Sequence, residues 1–297
     1  MDIIIKRRNL LKALAATPLL AAQVNAAQEA DVSIRQGRLK QSVMPQIWSG
    51  TDFTFEERCE ILSLMGFAGV DLPQPQQIPV LRDYGLEPTL MGGRVGTGTS
   101  FQDGLIRREI HDQIEEAIHG GIDMCVEAGC KNLIAFPGER RGMSRAEGAE
   151  NAAEILSRVA PYAEQNGINV CMEITNSKIA ADNRTDQVFD DIYWGFDVCR
   201  MSGSPNITVV YDFYHVQIAN GDVVRTMLDN LPMISHMHVA GVPSRREIDR
   251  TQELDYRWIA SQIAESDYDG FVSHEYRASE GRNPLISLAL GFDILSV

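Results

Sequence analysis

The sequence predicts a (β/α)8 TIM barrel, an α/β fold in which eight parallel strands alternate with surrounding helices. From residue 42 onward, short runs rich in β-branched and apolar residues alternate with longer segments whose apolar residues recur at helical spacing. Eight such units fill residues 42–297, which matches the about 250 residues that this barrel typically needs. No low-complexity linker divides them. We therefore expect residues 42–297 to form one barrel domain.

The predicted strands are short apolar runs, as expected for strands that are buried on both faces. The sixth is typical: it is rich in β-branched residues and ends in an acid, Asp212. In chain order the strands are predicted at residues 42–48, 68–72, 87–91, 132–136, 169–174, 208–212, 234–239 and 270–276.

Helices are predicted between the strands from their capping residues and periodicity. Thr54 followed by Glu57 is a capping-box pattern that opens the first helix of the barrel, and Gly66 is a suitable stop. Longer helices are predicted over 105–128 and 145–165. A doubly wound open sheet is the alternative α/β fold. It is disfavoured because the glycine-rich segment 92–98 lacks the G-x-G-x-x-G order of dinucleotide-binding loops.

The first 26 residues have the features of a twin-arginine signal peptide. The pair Arg7-Arg8 precedes an apolar run, 13–22, and an A-x-A-like cleavage site at 24–26. The run is about half the ~20 residues of a membrane span. We expect the twin-arginine export machinery to deliver the protein to the periplasm, with 27–41 as an N-terminal extension. A permanent membrane anchor is the alternative.

The composition is that of a soluble enzyme with small-molecule substrates. Apolar residues make up 44% and charged residues 23% of the 297 residues. The net charge of −14 argues against nucleic acid as a partner, because phosphate binding needs a basic face. The five cysteines are odd in number and irregularly spaced, so no disulfide framework is expected. A homo-oligomer is compatible with the sequence, which leaves the oligomeric state open.

Four consecutive predicted strands, the fifth to the eighth, end in a potential metal ligand: Glu173, Asp212, His238 and Glu275. In this barrel the carboxyl ends of the strands surround one shared mouth. A single carboxylate at a strand end is more often a helix cap or an ion-pair partner. Four ionisable side chains at consecutive strand ends are harder to explain in this way, because each would need its own buried partner. Three carboxylates and one imidazole suit Mn²⁺ or Mg²⁺, with Co²⁺ as a further candidate. The sequence thus predicts a divalent metal site.

The same strand ends carry a resemblance to a known family. Four blocks resemble the corresponding blocks of hydroxypyruvate isomerases: Met172-Glu-Ile-Thr-Asn-Ser-Lys178, Tyr211-Asp-Phe-Tyr-His-Val-Gln217, His236-Met-His-Val-Ala-Gly-Val-Pro-Ser-Arg245 and Tyr268-Asp-Gly-Phe-Val-Ser-His-Glu-Tyr276. These enzymes belong to the xylose isomerase-like TIM barrel superfamily, together with ketose 3-epimerases and endonuclease IV-type nucleases. In one departure, His238 stands where hydroxypyruvate isomerases carry glutamine, whereas the epimerases carry histidine.

The resemblance implies a metal-dependent isomerase that acts on hydroxypyruvate or a relative such as tartronate semialdehyde. The reaction moves a proton between adjacent carbons through an enediolate, whose negative charge a divalent ion stabilises. The resemblance assigns the proton transfers to Glu173 and Glu275, while Asp212 and His238 complete the metal site. It leaves open which glutamate is the base and which the acid.

Two other functions remain as alternatives. A ketose 3-epimerase with the same four ligands is favoured by His238, and a periplasmic sugar-binding barrel would have kept the pocket without turnover. A nuclease of this superfamily is disfavoured, because the chain has only six histidines and a net charge of −14.

Residues beside the four strand ends have more than one interpretation. His215 is expected either to reach a substrate hydroxyl or to lie on a surface loop. Arg245 is expected either to hold a substrate oxygen or carboxylate or to lie on an exposed loop. His236 is expected as a hydrogen-bonded core histidine and His274 as a structural one. Asp71 is expected to cap a helix rather than to touch substrate.

Overall fold

In the computed structural model, residues 37–92, 98–178 and 190–297 are described. The predicted signal peptide, residues 1–26, lies outside this part of the chain, as does the predicted extension, 27–41, up to residue 36. The division of the N-terminus therefore stays a prediction. Within the described ranges, no helix combines the length and apolar character that crossing a bilayer requires.

Eight parallel strands form the barrel in the order β3-β2-β1-β8-β7-β6-β5-β4. They are β1 Lys40–Val43, β2 Gly69–Asp71, β3 Glu87–Leu90, β4 Asn132–Ala135, β5 Asn169–Glu173, β6 Ile207–Asp212, β7 Ile234–Val239 and β8 Phe271–His274. The two outer strands of this order meet through a parallel bridge between Met91 and Leu133. The Met91 amide donates to Asn132 O at 2.8 Å, and the Ile134 amide donates to Met91 O at 2.9 Å. The predicted (β/α)8 TIM barrel is confirmed.

Helices surround the strands. They are α1 Phe55–Met65, α2 Ile78–Asp83, α3 His111–Ala128, α4 Arg145–Asn166, α5 Ile192–Ser202, α6 Phe213–Ala219, α7 Val223–Asp229, α8 Tyr256–Glu265 and α9 Pro284–Leu295. Helix α1 begins with the predicted capping box, in which Thr54 and Glu57 bond reciprocally, and ends at Gly66 with a φ of 96°. The predicted helix over 145–165 is α4, one residue longer.

Two predicted boundaries were wrong. The first strand ends at Val43 instead of residue 48, because Pro45, which has no N–H and a fixed φ, starts a 3₁₀ helix over Pro45–Trp48. The helix predicted from residue 105 begins at His111. The amides of Leu105 and Ile106 donate instead to Phe136 O and Pro137 O, at 3.1 and 3.0 Å. This segment is therefore bound to the end of β4.

The inside of the barrel has an apolar layer of four buried side chains, which are Leu90, Ile134, Cys171 and Val210. Because side chains alternate along a strand, Glu173 and Asp212 point to the same side as Cys171 and Val210, one layer closer to the mouth. All five cysteines are buried and free, so the expected absence of a disulfide framework is confirmed.

Candidate metal centre

Four buried side chains converge at the carboxyl ends of β5 to β8. Glu173 is the last residue of β5 and Asp212 the last of β6, His238 pairs in register with Asp212, and Glu275 follows β8 directly. The Glu275 amide donates to Val239 O at 2.9 Å, which keeps Glu275 at the same level of the barrel. The four residues can each offer a ligand atom, and these atoms all lie within 4.8 Å of one another. None is more than 6% exposed.

A bound cation would supply a partner for two buried polar atoms of the cluster. His238 Nδ1 lies 2.6 Å from Glu275 Oε2 and 3.8 Å from Glu173 Oε1. Both His238 Nδ1 and Glu275 Oε2 are buried, yet neither makes a hydrogen bond within the described part of the chain. Ligands about 2.1 Å from one octahedral ion lie about 3 to 4.2 Å apart. The four groups can therefore hold Mg²⁺ or Mn²⁺ after small side-chain movements.

Burial and mutual charge perturb the protonation of the cluster. Burial raises the pKa of Asp212 to about 7, and the charge of Glu275 adds to this effect. Burial alone would also raise the pKa of Glu275, but the positive charges of Arg245 and His238 outweigh it and hold this pKa below its usual range. Burial disfavours charged His238, but the charge of Glu275 and the hydrogen bond to Asp71 raise its pKa well above the ordinary value. The excess of acidic groups favours a bound cation.

Asp212 is both the last residue of β6 and the N-cap residue of helix α6. Its Oδ1 accepts a hydrogen bond from the Tyr214 amide at 2.8 Å and so caps the helix. Its Oδ2 faces the cluster and lies 3.5 Å from Arg245 Nη2. One oxygen thus fixes the chain, while the other remains directed at the candidate metal centre.

Arg245 reaches the cluster from the loop after β7. Its Nη2 donates to Glu275 Oε1 at 2.6 Å, and its guanidinium lies 5.2 Å from the centre of the Tyr214 ring. The loop turns back at Gly241, where a Cβ would collide with the backbone oxygen of Glu247. The side chain of Arg245 is 21% exposed, so the interpretation as an exposed-loop arginine is wrong.

His215 lies in α6 and is 1% exposed, so the surface-loop interpretation is wrong for it as well. Its Nδ1 accepts from the Asn176 backbone amide at 3.0 Å, and its Nε2 is 3.5 Å from Asp212 Oδ2. The alternative, contact with a substrate hydroxyl, stays a prediction.

Asp71 does not cap a helix, and this expectation was wrong. It is fully buried, and its Oδ2 lies 3.0 Å from His236 Nε2 and 3.2 Å from His238 Nε2. His236 is accordingly the hydrogen-bonded core histidine that the sequence predicts. His274 is buried and bonds to Gln41 Oε1 at 2.8 Å, in agreement with a structural role.

Two further residues beside the cluster have no counterpart in the sequence analysis. Gln46 Nε2 donates to Glu275 Oε1 at 2.9 Å, and Asn176 Nδ2 lies 2.7 Å from His215 Nδ1. Asn176 lies three residues beyond Glu173, in the segment that follows the end of β5. A polar residue at this position could have been predicted to lie beside the cluster. Gln46 was missed because the first strand was predicted to continue through it.

Comparisons with known proteins agree with the barrel fold and with the resemblance to hydroxypyruvate isomerases. Residues 78–292 match the sequence model of a family described as Xylose isomerase-like TIM barrel. A 2-oxo-tetronate isomerase of Pectobacterium atrosepticum is 25% identical over 240 residues, which are 76% of this chain and 87% of that relative. A protein of Danio rerio named "Putative hydroxypyruvate isomerase" is 30% identical over 122 residues, 41% of this chain and 43% of the relative.

Among solved structures, the AP endonuclease, family 2, from Brucella melitensis has a TM-score of 0.70 at 23% identity. The match covers 85% of this chain and 98% of that one. At this identity the likeness concerns the fold alone. The two sequence relatives, by contrast, are both named isomerases.

Proposed function

The chain belongs to the xylose isomerase-like TIM barrel family, and from this premise we propose that it is an isomerase of a small hydroxy-carbonyl acid. The substrate class is hydroxypyruvate, its isomer tartronate semialdehyde, or a longer 2-oxo acid such as 2-oxo-tetronate, the compound in the name of one relative. These acids share a carbonyl group, a ketone or an aldehyde, next to a carbon that bears a hydroxyl group. The observation that carries the proposal is the convergence of Glu173 and Glu275 in one buried cluster with Asp212 and His238.

The two glutamates would transfer the proton. The carbonyl moves when one carboxylate removes the proton from the hydroxyl-bearing carbon and a carboxylic acid returns a proton to the neighbouring carbon. The hydroxyl proton passes at the same time to the oxygen of the former carbonyl group. Glu173 and Glu275 suit this exchange because they stand at the ends of β5 and β8, three positions apart around the barrel with β6 and β7 between them.

The same four side chains would hold a divalent ion, Mn²⁺ or Mg²⁺ in the first place and Co²⁺ in the second. When bound, the ion would supply positive charge beside the substrate oxygens, on which negative charge develops. Arg245 and Gln46 bond to Glu275 Oε1 and would orient this carboxylate. Arg245 and His215 are proposed to contact the oxygens of the substrate.

A ketose 3-epimerase is the second candidate, because His238 is the residue that the resemblance associates with epimerases. A sugar-binding barrel without turnover is the third. The protein is further proposed to be exported to the periplasm through the twin-arginine pathway, on the strength of the Arg7-Arg8 segment.

A substrate panel separates these candidates. Purified protein loaded with Mn²⁺, Mg²⁺ or Co²⁺ is assayed with hydroxypyruvate, 2-oxo-tetronate and free ketohexoses. We expect turnover of at least one 2-oxo acid and its loss after removal of the metal. Turnover of ketohexoses alone would replace the proposal with the epimerase, and saturable binding of sugars without any turnover would replace it with the binding protein.

A further inference from the structure

Asp71 contacts His238 on the side that faces away from the three carboxylates of the cluster. His238 Nδ1 faces Glu275 Oε2 at 2.6 Å, while His238 Nε2 lies 3.2 Å from Asp71 Oδ2. His236, Asp71 and His238 are all 0% exposed, so water does not compete for these contacts. The ring of His238 therefore joins Asp71 to the candidate metal centre.

Asp71 is itself held in place from several sides. Its Oδ2 lies 3.0 Å from His236 Nε2, and its Oδ1 accepts hydrogen bonds from the hydroxyl groups of Ser42, at 3.4 Å, and of Thr89. The His236 and His238 rings are nearly perpendicular, at 89°, so that both present Nε2 to the same oxygen. A carboxylate fixed in this way can orient a ring that would otherwise rotate.

We propose that Asp71 is a positioning residue, which keeps the ring proton of His238 on Nε2 and turns the Nδ1 lone pair towards the candidate metal centre. An ionised carboxylate accepts hydrogen bonds and donates none, so each histidine that bonds to it must donate through Nε2–H. In a neutral imidazole with its proton on Nε2, Nδ1 is free to bind a metal ion. A carboxylate on the remote nitrogen in this way orients a metal-binding histidine and makes it more basic.

The inference rests on the metal site of the proposed function but not on the substrate. The positioning role differs from a purely structural role, in which Asp71 only accepts hydrogen bonds from buried polar groups. A structural role predicts a change in stability with unchanged metal affinity, whereas positioning predicts a change in metal affinity.

Asp71→Asn distinguishes the two roles. The amide has the same shape but no negative charge, so it no longer makes the His238 ring more basic. With its nitrogen towards His238 Nε2 it also favours the tautomer with the proton on Nδ1, which faces the cluster and opposes a cation. We expect the dissociation constant for Mn²⁺, measured by calorimetric titration of the folded protein, to rise about 10- to 100-fold. The matched control is His274→Gln, which alters another buried histidine whose partner, Gln41, lies outside the cluster. It should leave Mn²⁺ affinity within about twofold of the parent, well below the loss expected from removing an outer partner.

A measurement on the unaltered chain tests the positioning role of Asp71 even if Asp71→Asn does not fold. Long-range ¹H–¹⁵N spectra of the protein loaded with Mg²⁺ or Zn²⁺ report which ring nitrogen of each histidine carries the proton, and His238→Gln identifies the His238 signals. We expect His238 protonated on Nε2 and unprotonated on Nδ1. A proton on Nδ1, or unchanged Mn²⁺ affinity in folded Asp71→Asn, would overturn the positioning role.

The outcomes also separate this inference from the proposed function. If the parent binds Mn²⁺ and Asp71→Asn binds it more weakly, but no 2-oxo acid turns over, the positioning role stands and the proposed reaction fails. If the parent turns over a 2-oxo acid while Asp71→Asn keeps the parent's affinity, the reaction stands and the positioning role fails. If the parent binds no divalent ion, both fail.

Discussion

The guanidinium of Arg245 donates to Glu275 Oε1 at 2.6 Å inside a group of buried carboxylates. The contact leaves Glu275 Oε2 directed at His238 Nδ1, so the two oxygens of one carboxylate face different partners. Together with His238, Arg245 outweighs the effect of burial and keeps the pKa of Glu275 below its usual range. Glu275 is therefore ionised at neutral pH and suited to bind a cation.

Replacing this carboxylate tests the proposed chemistry directly. Glu275→Gln keeps the shape and the contact with Arg245 but can neither accept a proton from carbon nor carry negative charge. We expect kcat to fall by about 10²- to 10⁴-fold or more, the usual contribution of general acid–base catalysis. Steady-state kinetics on the substrate found in the panel check this, with circular dichroism to verify the fold.

The control for this variant is Glu87→Gln, the same chemical change at an exposed residue that begins β3, at the opposite end of the barrel. It should leave kcat unchanged. Full activity of Glu275→Gln would rule out a mechanism with two carboxylates.

Removal of the metal should lower stability, because an ion that binds only the folded chain stabilises it by mass action. At a free Mn²⁺ concentration about 100-fold above Kd the gain is about 2.7 kcal/mol. For a chain of this size that corresponds to a rise in Tm of about 5–10 °C over protein treated with a chelator. Scanning calorimetry with and without Mn²⁺ measures the difference.

The variant Asp212→Asn tests in the same experiment whether Asp212 is a metal ligand. It removes one proposed ligand but keeps an oxygen that can cap α6, so its metal-free Tm should stay near that of the parent while the increase on adding Mn²⁺ shrinks. An equal increase in both proteins would contradict the assignment of Asp212 as a ligand.

His274 should make stability depend on pH. It packs edge-on against Phe67, and burial lowers its pKa to about 3 from 6.5. Between these two pH values the unfolded chain binds more protons at this position than the folded chain. The contribution of His274 to stability is thus fully present above pH 6.5 and is lost as pH falls towards 3.

Urea unfolding of metal-free protein measures this effect at several pH values from 7.5 downward. His274→Gln cannot titrate, so we expect its free energy of unfolding to fall less steeply with acidification, by at most about 1.4 kcal/mol per pH unit. Equal slopes for parent and variant would show that His274 is not kept neutral by burial.

The N-terminal segment is tested by a conservative pair of substitutions. Arg7→Lys with Arg8→Lys preserves charge but removes the twin-arginine pair, and we expect the protein to remain in the cytoplasm of a bacterium that has the export machinery. Fractionation and mass spectrometry of the unaltered protein should find it in the periplasm and cleaved after Ala26. Lys12→Arg, which lies outside the pair, serves as the control; periplasmic accumulation of the double variant would contradict the proposed route.

Sequence alone determined the alternation of strands and helices, the barrel, and the four residues at the ends of consecutive strands. These are local properties: β-branched runs, a capping box and a polar residue after an apolar strand are visible without knowing what lies opposite. The same reasoning failed at Pro45, where the missing N–H and fixed φ of proline start a 3₁₀ helix, and at Leu105, where the outcome depended on a backbone hydrogen bond. In the second case the partner is the end of β4, a distant part of the chain.

Tertiary structure decided which polar groups meet. Asp71 and His238 are separated by 167 residues, and Gln46 and Glu275 by 229, yet each pair lies within hydrogen-bonding distance. Such contacts depend on closure of the barrel, which brings β1 and β2 beside β8 and β7 around one interior. A strand-end acid in the sequence therefore indicates a place at the mouth, whereas only the closed barrel determines whether it caps a helix, joins the cluster or supports a neighbouring histidine.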